Sequence, residues 1–231
     1  MNILTGIEII GKSLWLENRK MLIISDLHIG YEEALNKRGI LVPRTQFKEM
    51  FKELEELLNK VMPKTIVING DLKHEFSDIS EQEWNETLKI LDLLQNHCKK
   101  IILIKGNHDT ILGPIAKKRG LKITDKYKID EICVIHGDSV VETSAKTLII
   151  GHEHPAIALK EGMKTEKYKC FLLGTWKKQN LIVMPSFLPI IEGTDLVQEK
   201  LLSPYLKKIK NFEVFIVGDK VYRFGKLKDI K

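Results

Sequence analysis

Five apolar segments in this chain of 231 residues are each followed at once by a polar cluster rich in Asp, Asn and His. The clusters are Asp26-Leu27-His28, Gly70-Asp71, Gly106-Asn107-His108-Asp109, His136-Gly137-Asp138 and Gly151-His152-Glu153-His154. In an open α/β sheet the carboxyl ends of parallel strands meet at one edge, where ligands bind. The pattern therefore predicts that the five clusters converge at one edge of a sheet.

The first half of the chain alternates between strand-like and helix-like segments. Short apolar runs typical of buried strands are residues 21–25, 65–69 and 100–105. Helices are predicted, from apolar residues at helical spacing and from the capping box of Ser80 and Glu83, at residues 31–38, 44–60, 80–97 and 111–119. This βαβαβ order implies a largely parallel sheet with right-handed crossovers.

The second half is rich in short apolar runs that Gly, Pro or charged turns separate. The runs are residues 131–135, 147–150, 156–159, 169–173, 181–184, 212–217 and 220–224. Only residues 195–209 have the composition for a further helix, and Pro204 interrupts them. We therefore expect a second sheet packed on the first. The sequence shows no internal repeat and no Pro/Ser-rich linker, so residues 1–231 are predicted to form a single domain.

Composition excludes several classes of protein. Hydrophobic residues at 43% and charged residues at 29% match a globular chain rather than a disordered one. No apolar stretch approaches the roughly 18–20 residues that span a bilayer, so no membrane partner is expected. The first residues lack a secretory signal pattern, and Cys98, Cys133 and Cys170 form no CxxC pair. We expect reduced thiols and a cytoplasmic location.

Seven side chains in the clusters are candidate metal ligands. They are Asp26, His28, Asp71, Asn107, His136, His152 and His154. Carboxylate, amide and imidazole groups suit Mn²⁺, Fe²⁺, Ni²⁺, Zn²⁺ or Mg²⁺. Seven ligands are too many for one ion. If one ligand is shared, they supply four ligands to each of two ions and leave coordination positions open for water and substrate. Two ions roughly 3.5–4 Å apart would generate a hydroxide nucleophile and clamp an in-line displacement at phosphorus.

The ordered blocks DxH, GD, GNHD, H and GHxH resemble the signature of the calcineurin-like metallophosphoesterase superfamily. The resemblance extends from Met21 to about Pro155. It implies an α/β fold, a four-layer α/β/β/α sandwich of two mixed sheets with flanking helices. It also implies two divalent metal ions, with Mn²⁺ expected first and Ni²⁺, Fe²⁺, Zn²⁺ and Mg²⁺ as alternatives.

The same resemblance implies a role for each matching residue. Asp26, His28 and His154 would hold the first metal; Asn107, His136 and His152 would hold the second; Asp71 would bridge. His108 would face the scissile phosphate as a catalytic residue, and Asp109 would orient it.

Shorter segments resemble particular subfamilies. The sequence GDLKH, residues 70–74, is similar to a block in SbcD-type repair nucleases. Residues 181–195 look like the compact phosphoesterases associated with ATP-dependent DNA ligases. His74, the last residue of GDLKH, has two interpretations: it shapes the rim of the site, or it contacts substrate.

The function that the resemblance implies is a two-metal phosphoesterase, in which a metal-bridging hydroxide attacks the ester. The subfamily resemblance favours phosphodiester over phosphomonoester substrates. The expected partner is a phosphoester substrate, and nucleotides and nucleic acids are among the candidates. One alternative is a DNA-repair nuclease acting within a complex. Another is a non-catalytic scaffold, as in the retromer subunit that lacks the catalytic His; here His108 is present. The oligomeric state is left open.

Overall fold

Seven strands form the first sheet in the computed structural model, which describes residues 1–76 and 79–230. The strands are β1 (Asn2–Leu4), β2 (Ile7–Ile10), β3 (Ser13–Leu16), β4 (Met21–Ser25), β5 (Thr65–Asn69), β6 (Lys100–Ile104) and β7 (Ile123–Thr124). Their order in the sheet follows the chain. Strands β1 to β4 pair antiparallel, and β4 to β7 pair parallel. The parallel half agrees with the predicted βαβαβ order.

Four α-helices are described, all between β4 and β7. They are α1 (Tyr31–Lys37), α2 (Gln46–Val61), α3 (Glu81–His97) and α4 (Leu112–Lys118). As predicted, Ser80 caps α3, because its hydroxyl accepts a hydrogen bond from the backbone N–H of Glu83 at 3.0 Å. The Glu83 carboxylate does not complete the capping box at Ser80. It instead accepts hydrogen bonds from the backbone N–H groups of His74 and Glu75.

Nine strands form the second sheet. They are β8 (Lys126–Ile129), β9 (Ile132–Ile135), β10 (Thr147–Ile150), β11 (Pro155–Glu161), β12 (Lys164–Trp176), β13 (Gln179–Val183), β14 (Thr194–Asp195), β15 (Glu213–Val217) and β16 (Val221–Lys226). The order is β14-β11-β12-β13-β10-β9-β8, with β15 on β12 and β16 on β15. Strands β9, β10 and β13 are parallel, whereas β12 is antiparallel to β11, β13 and β15.

The two sheets pack face to face through one apolar cluster. Ile23 and Val67 of the first sheet belong to it together with Val134, Phe171 and Ile182 of the second, and all five are fully buried. Burial of such side chains is the main term that holds the layers together. The prediction of an α/β fold with two mixed sheets and flanking helices is confirmed.

The outer faces of the two sheets are covered differently. Helices α2, α3 and α4 pack on the first sheet. In the described part of the chain, the second sheet is covered by irregular segments between β14 and β15, including Leu206 and Phe212, and not by an α-helix. Residues 195–209, the only further segment whose composition could hold a helix, therefore form no α-helix. Pro204 interrupts the segment, and the backbone N–H groups of Leu202 and Ser203 donate to the Glu153 carboxylate.

The three N-terminal strands β1 to β3 were not among the predicted elements.

In the described residues no helix combines the length and the apolar character needed to cross a bilayer.

Candidate metal centre and active site

The five predicted clusters follow five strands whose carboxyl ends lie at one edge of the sandwich. Three of the strands, β4, β5 and β6, are parallel neighbours in the first sheet. The other two, β9 and β10, are parallel neighbours in the second sheet. Side chains from both sheets therefore meet at this edge, as the sequence predicts for the strand ends.

The first group of candidate ligands consists of Asp26, His28 and His154, whose donor atoms all lie within 4.8 Å of one another. Nε2 of His154 is 3.2 Å from Oδ1 of Asp26 and 3.3 Å from Nε2 of His28. Asp26 and His28 are buried, and His154 is partly exposed. One carboxylate and two imidazoles facing a common point can hold a divalent cation.

The second group consists of Asp71, His136 and His152, again with donor atoms within 4.8 Å. Asn107 joins it, because its Oδ1 is 3.0 Å from Nε2 of His136. Oδ2 of Asp71 lies 3.3 Å from Nε2 of His136 and 3.7 Å from Nε2 of His28. Asp71 thus lies between the two groups, and the donor set of the site fits two divalent cations that share one carboxylate.

His108 lies beside these groups. Its ring is 4.9 Å from the ring of His28, edge to face, and its Nδ1 hydrogen-bonds to the backbone carbonyl of His74. Its backbone N–H donates to Oδ1 of Asp71 at 2.9 Å. With Nδ1–H donating to a carbonyl, Nε2 is the nitrogen of His108 left to meet a substrate.

Comparison with known proteins decides the family. The model of the calcineurin-like phosphoesterase family matches residues 19–221 of the chain. The chain belongs to the calcineurin-like phosphoesterase family. It is a phosphoesterase hydrolase of a family that uses divalent metals, and its Asp and His groups can bind them. A search of curated proteins gave no significant match.

One solved structure shares the fold of this phosphoesterase, and two others are similar to it at lower scores. The nuclease MPE of Pseudomonas putida has a TM-score of 0.68 and 18% identity, over 92% of each chain. The phosphoesterase Yfce of E. coli has a TM-score of 0.45 and 15% identity, over 91% of this chain and 94% of that one. A single mutant of Vps29 from Entamoeba histolytica has a TM-score of 0.41 and 16% identity, over 89% and 98%.

Five of the seven candidate ligands of the phosphoesterase have a left-handed backbone. Their φ angles are 55° at Asp26, 43° at His28, 44° at Asp71, 63° at His152 and 49° at His154. This region is unfavourable for side chains with a Cβ, by about 1–3 kcal/mol at each residue. The surrounding packing must therefore impose these conformations, which aim the ligands at common points.

Two glycines of the family motifs lie so close to the side chain of a candidate metal ligand that a Cβ atom would not fit. A Cβ on Gly151 would lie 2.0 Å from the hydroxyl of Ser25 and 2.4 Å from Oδ2 of Asp26. A Cβ on Gly70 would lie 2.1 Å from Nδ1 of His136, and Gly70 also has a positive φ of 78°. Glycine at these positions is thus required by the close approach of the ligand side chains.

Burial and mutual charge set the pKa values of the ligands in the absence of metal. Burial opposes charge on His136, but its contacts with the carboxylates of Asp71 and Asp26 raise its pKa to about 9. Burial lowers the pKa of His28 well below the usual value, and the charge of His154 lowers it further. Burial opposes ionisation of Asp71, yet His136 and His28 lower its pKa. A cation that binds must therefore replace the proton on His136.

The structure places Asp109 and His74 near His108, in different ways. The buried carboxylate of Asp109 accepts hydrogen bonds from the backbone N–H groups of Gly106 at 3.0 Å and of Lys73 at 3.3 Å. Burial and the charge of Asp71 raise its pKa to about 6. The ring of His74 stacks on that of His108 at 5.2 Å, and its Nδ1 is 3.4 Å from Nδ1 of His28. Asp109 therefore holds the backbone at Gly106 and Lys73, and the His74 ring lies next to the candidate ligand His28.

Sequence reasoning missed several residues that support the ligands. The hydroxyl of Ser25 donates to Oδ2 of Asp26 at 2.5 Å, and the hydroxyl of Ser186 donates to the backbone carbonyl of Asp26 at 2.7 Å. Glu153, the variable residue of GHxH, is buried and binds the backbone of Leu202 and Ser203. The resemblance noted for residues 181–195 was the available signal for Ser186.

Lys169 holds the segment that contains Ser186. Its Nζ donates to the backbone carbonyls of Ser186 at 2.8 Å and of Leu188. Burial, together with the charge of Lys12, lowers the pKa of Lys169 to about 7. An ordinary lysine titrates near 10.5, so between these two pH values the unfolded chain binds more protons at this residue than the folded chain.

This difference predicts a pH-dependent contribution of Lys169 to stability. The free energy of unfolding of the wild type should rise relative to that of Lys169→Met as the pH increases from 7 to 9.5, by up to about 1.4 kcal/mol per pH unit. Urea denaturation of both proteins at fixed free metal concentration measures it. A difference between the two proteins that does not change with pH would contradict the expected pKa.

Proposed function

We propose that the chain is a phosphodiesterase that works with two divalent cations. The observation that carries the proposal is the pair of ligand groups with Asp71 between them and with His108 alongside. Asp26, His28 and His154 would hold one cation, and Asn107, His136 and His152 the other. When bound, such ions lower the pKa of a water molecule and neutralise charge on a phosphoryl group.

The residues of the chain supply the rest of the chemistry. In its doubly protonated form His108 would keep Nδ1–H on the carbonyl of His74, while Nε2–H would hydrogen-bond to a phosphoryl oxygen and pass its proton to the leaving oxygen. Oδ1 of Asp71 accepts the backbone N–H of His108 at 2.9 Å, so the shared ligand also fixes the position of the proton donor. This arrangement supports an acid role for His108, next to both groups of ligands.

A cavity of about 300 Å³ beside the second group supports a diester substrate. Its lining includes the candidate ligands Asn107 and His136, the polar residues Lys105, Thr110 and Ser139, and the apolar residues Ile135 and Val141. The space can accept a second ester substituent, and its mixture of polar and apolar lining suits one with both kinds of surface, such as a nucleoside.

The metal and the location are part of the proposal. We expect Mn²⁺ as the native ion on the family resemblance, and the carboxylate, amide and imidazole groups of the site, without thiolates, suit it as they suit Fe²⁺, Ni²⁺, Zn²⁺ and Mg²⁺. The three cysteines are free and buried, which supports a reducing compartment and hence the cytoplasm.

The test is a substrate and metal panel on protein whose bound metals have been measured. We expect Mn²⁺ to activate hydrolysis of bis(p-nitrophenyl) phosphate, with p-nitrophenyl phosphate hydrolysed more slowly. Mg²⁺, Ni²⁺ and Zn²⁺ serve as comparison ions. Single-stranded DNA, double-stranded DNA and cyclic nucleotides then test for a nuclease or a nucleotide diesterase. A strong preference for the monoester would overturn the choice of a diester, and a metal-loaded protein inactive on every substrate would favour a scaffold.

A further inference from the structure

Lys73 is a fully buried lysine at the centre of this edge of the sandwich. It is 0% exposed and follows the shared ligand Asp71 by two residues. Lysines are rarely buried to this extent, because transferring an ammonium group from water costs free energy unless the group is paired and hydrogen-bonded. Packing alone therefore does not explain why a lysine is buried at this position.

The contacts of Lys73 join three of the loops that carry site residues. Its Nζ donates to the backbone carbonyl of His108 at 2.8 Å and to that of Glu75. Its backbone N–H donates to Oδ1 of Asp109, and its backbone also forms a bridge with Ile29 in the loop after β4. The side chain thus ties the loop after β5 to the loop after β6.

Glu83 holds the same segment from the other side. One oxygen of its carboxylate accepts the backbone N–H groups of His74 at 2.8 Å and Glu75 at 3.0 Å. Its negative charge, with that of Asp109, acts on the Lys73 ammonium. The backbone carbonyl of His74, to which the ring of His108 hydrogen-bonds, therefore lies in a segment fixed at both sides.

We propose that Lys73 is a positioning residue for His108. Its ammonium group holds the backbone of His108 at a fixed distance from the carbonyl of His74, so that the ring donates through Nδ1 and keeps Nε2 for substrate. The catalytic part of this inference rests on the proposed function, in which His108 acts on the phosphoester. The structural part, that Lys73 sets the position and tautomer of the His108 ring, is independent of the proposed function.

The direct test is Lys73→Met, which keeps the length of the side chain and removes the ammonium group. With bis(p-nitrophenyl) phosphate and Mn²⁺ we expect kcat to fall about 10–100-fold, the range for outer partners of a metal site, with KM and bound metal unchanged. Lys12→Met is the matched control. Lys12 is also buried, at 9% exposure, but its Nζ pairs with Glu53 at 2.6 Å.

A double-mutant cycle separates positioning from general support. If Lys73 acts through His108, Lys73→Met should not reduce kcat further in a His108→Ala background. An equal reduction in both backgrounds, or loss of metal from Lys73→Met, would overturn the proposal. Should Lys73→Met fail to fold, Lys73→Gln keeps one donor group and should give an intermediate kcat with the same dependence on His108.

The tautomer of His108 supplies a readout that needs no activity. In long-range ¹H–¹⁵N spectra of the wild type loaded with diamagnetic Zn²⁺, the neutral form of His108 should carry its proton on Nδ1, and Lys73→Met should show a mixture of tautomers. An unchanged tautomer in Lys73→Met would overturn the positioning role even in an active enzyme. If the wild type proved inactive while the tautomer depended on Lys73, the proposed function would fail and the structural role of Lys73 would stand.

Discussion

His108→Ala should bind both metal ions and lose about 10²–10⁴-fold in kcat on a phosphodiester, the usual contribution of a general acid. His108 shares a cluster of donor atoms only with the imidazoles of His28 and His74, and not with Asp26 or Asp71. The metals should stay because its Nδ1 is already bonded to the carbonyl of His74. Activity should fall because Nε2 would supply the proton for the leaving oxygen. The measurements are kcat with Mn²⁺ and the metal content by elemental analysis.

A matched control for this variant is His97→Ala. His97 ends α3, where its ring contacts the backbone carbonyl of Leu93 and the side chain of Asn59. It should keep full activity and both ions. Release of metal from His108→Ala would show that this histidine is a ligand, and the role assigned to Nε2 would then be wrong.

Asp71→Asn should lose both metal ions together with activity. Its Oδ2 faces histidines of both groups, at 3.7 Å from His28 and 3.3 Å from His136. An amide has nearly the shape of the carboxylate but no charge to share between two cations. We expect metal affinity to fall by more than about 100-fold, since loss of an outer partner alone costs about 10–100-fold. A calorimetric titration with Mn²⁺ measures the change in metal affinity.

Asp219→Asn controls for the loss of a charge. Asp219 lies in the turn between β15 and β16, and its carboxylate bonds to the hydroxyl of Tyr222. This variant should bind Mn²⁺ like the wild type. An Asp71→Asn protein that loses one ion and retains the other at full affinity would show that Asp71 serves a single group.

The arrangement of the candidate ligands was predictable because their positions depend on strand ends. A buried strand fixes where its last residue lies, so Asp26 after β4 and His136 after β9 could be placed at one edge from the sequence. The roles assigned to individual residues at that edge stay predictions. The strands β1 to β3 were not predicted, since their short segments lack a distinctive polar cluster.

The supporting residues could not be predicted for a physical reason. Whether a lysine such as Lys73 is buried depends on which carbonyls surround it, and those carbonyls belong to loops far apart in the chain. The carboxylate of Asp109 likewise bonds to the backbone of another loop. A pattern of residue types shows which groups can react or bind, but not which distant backbone atoms they meet.

The two sheets contribute jointly to each group of ligands. His154 of the second sheet faces Asp26 and His28 of the first, and His136 and His152 of the second face Asp71 and Asn107 of the first. A cation bound at either position would cross-link the two halves of the sandwich. Folding and metal supply are then thermodynamically linked: an ion at a hundred times its Kd adds about 2.7 kcal/mol to the free energy of unfolding. The chain would be most stable in the metal-loaded state.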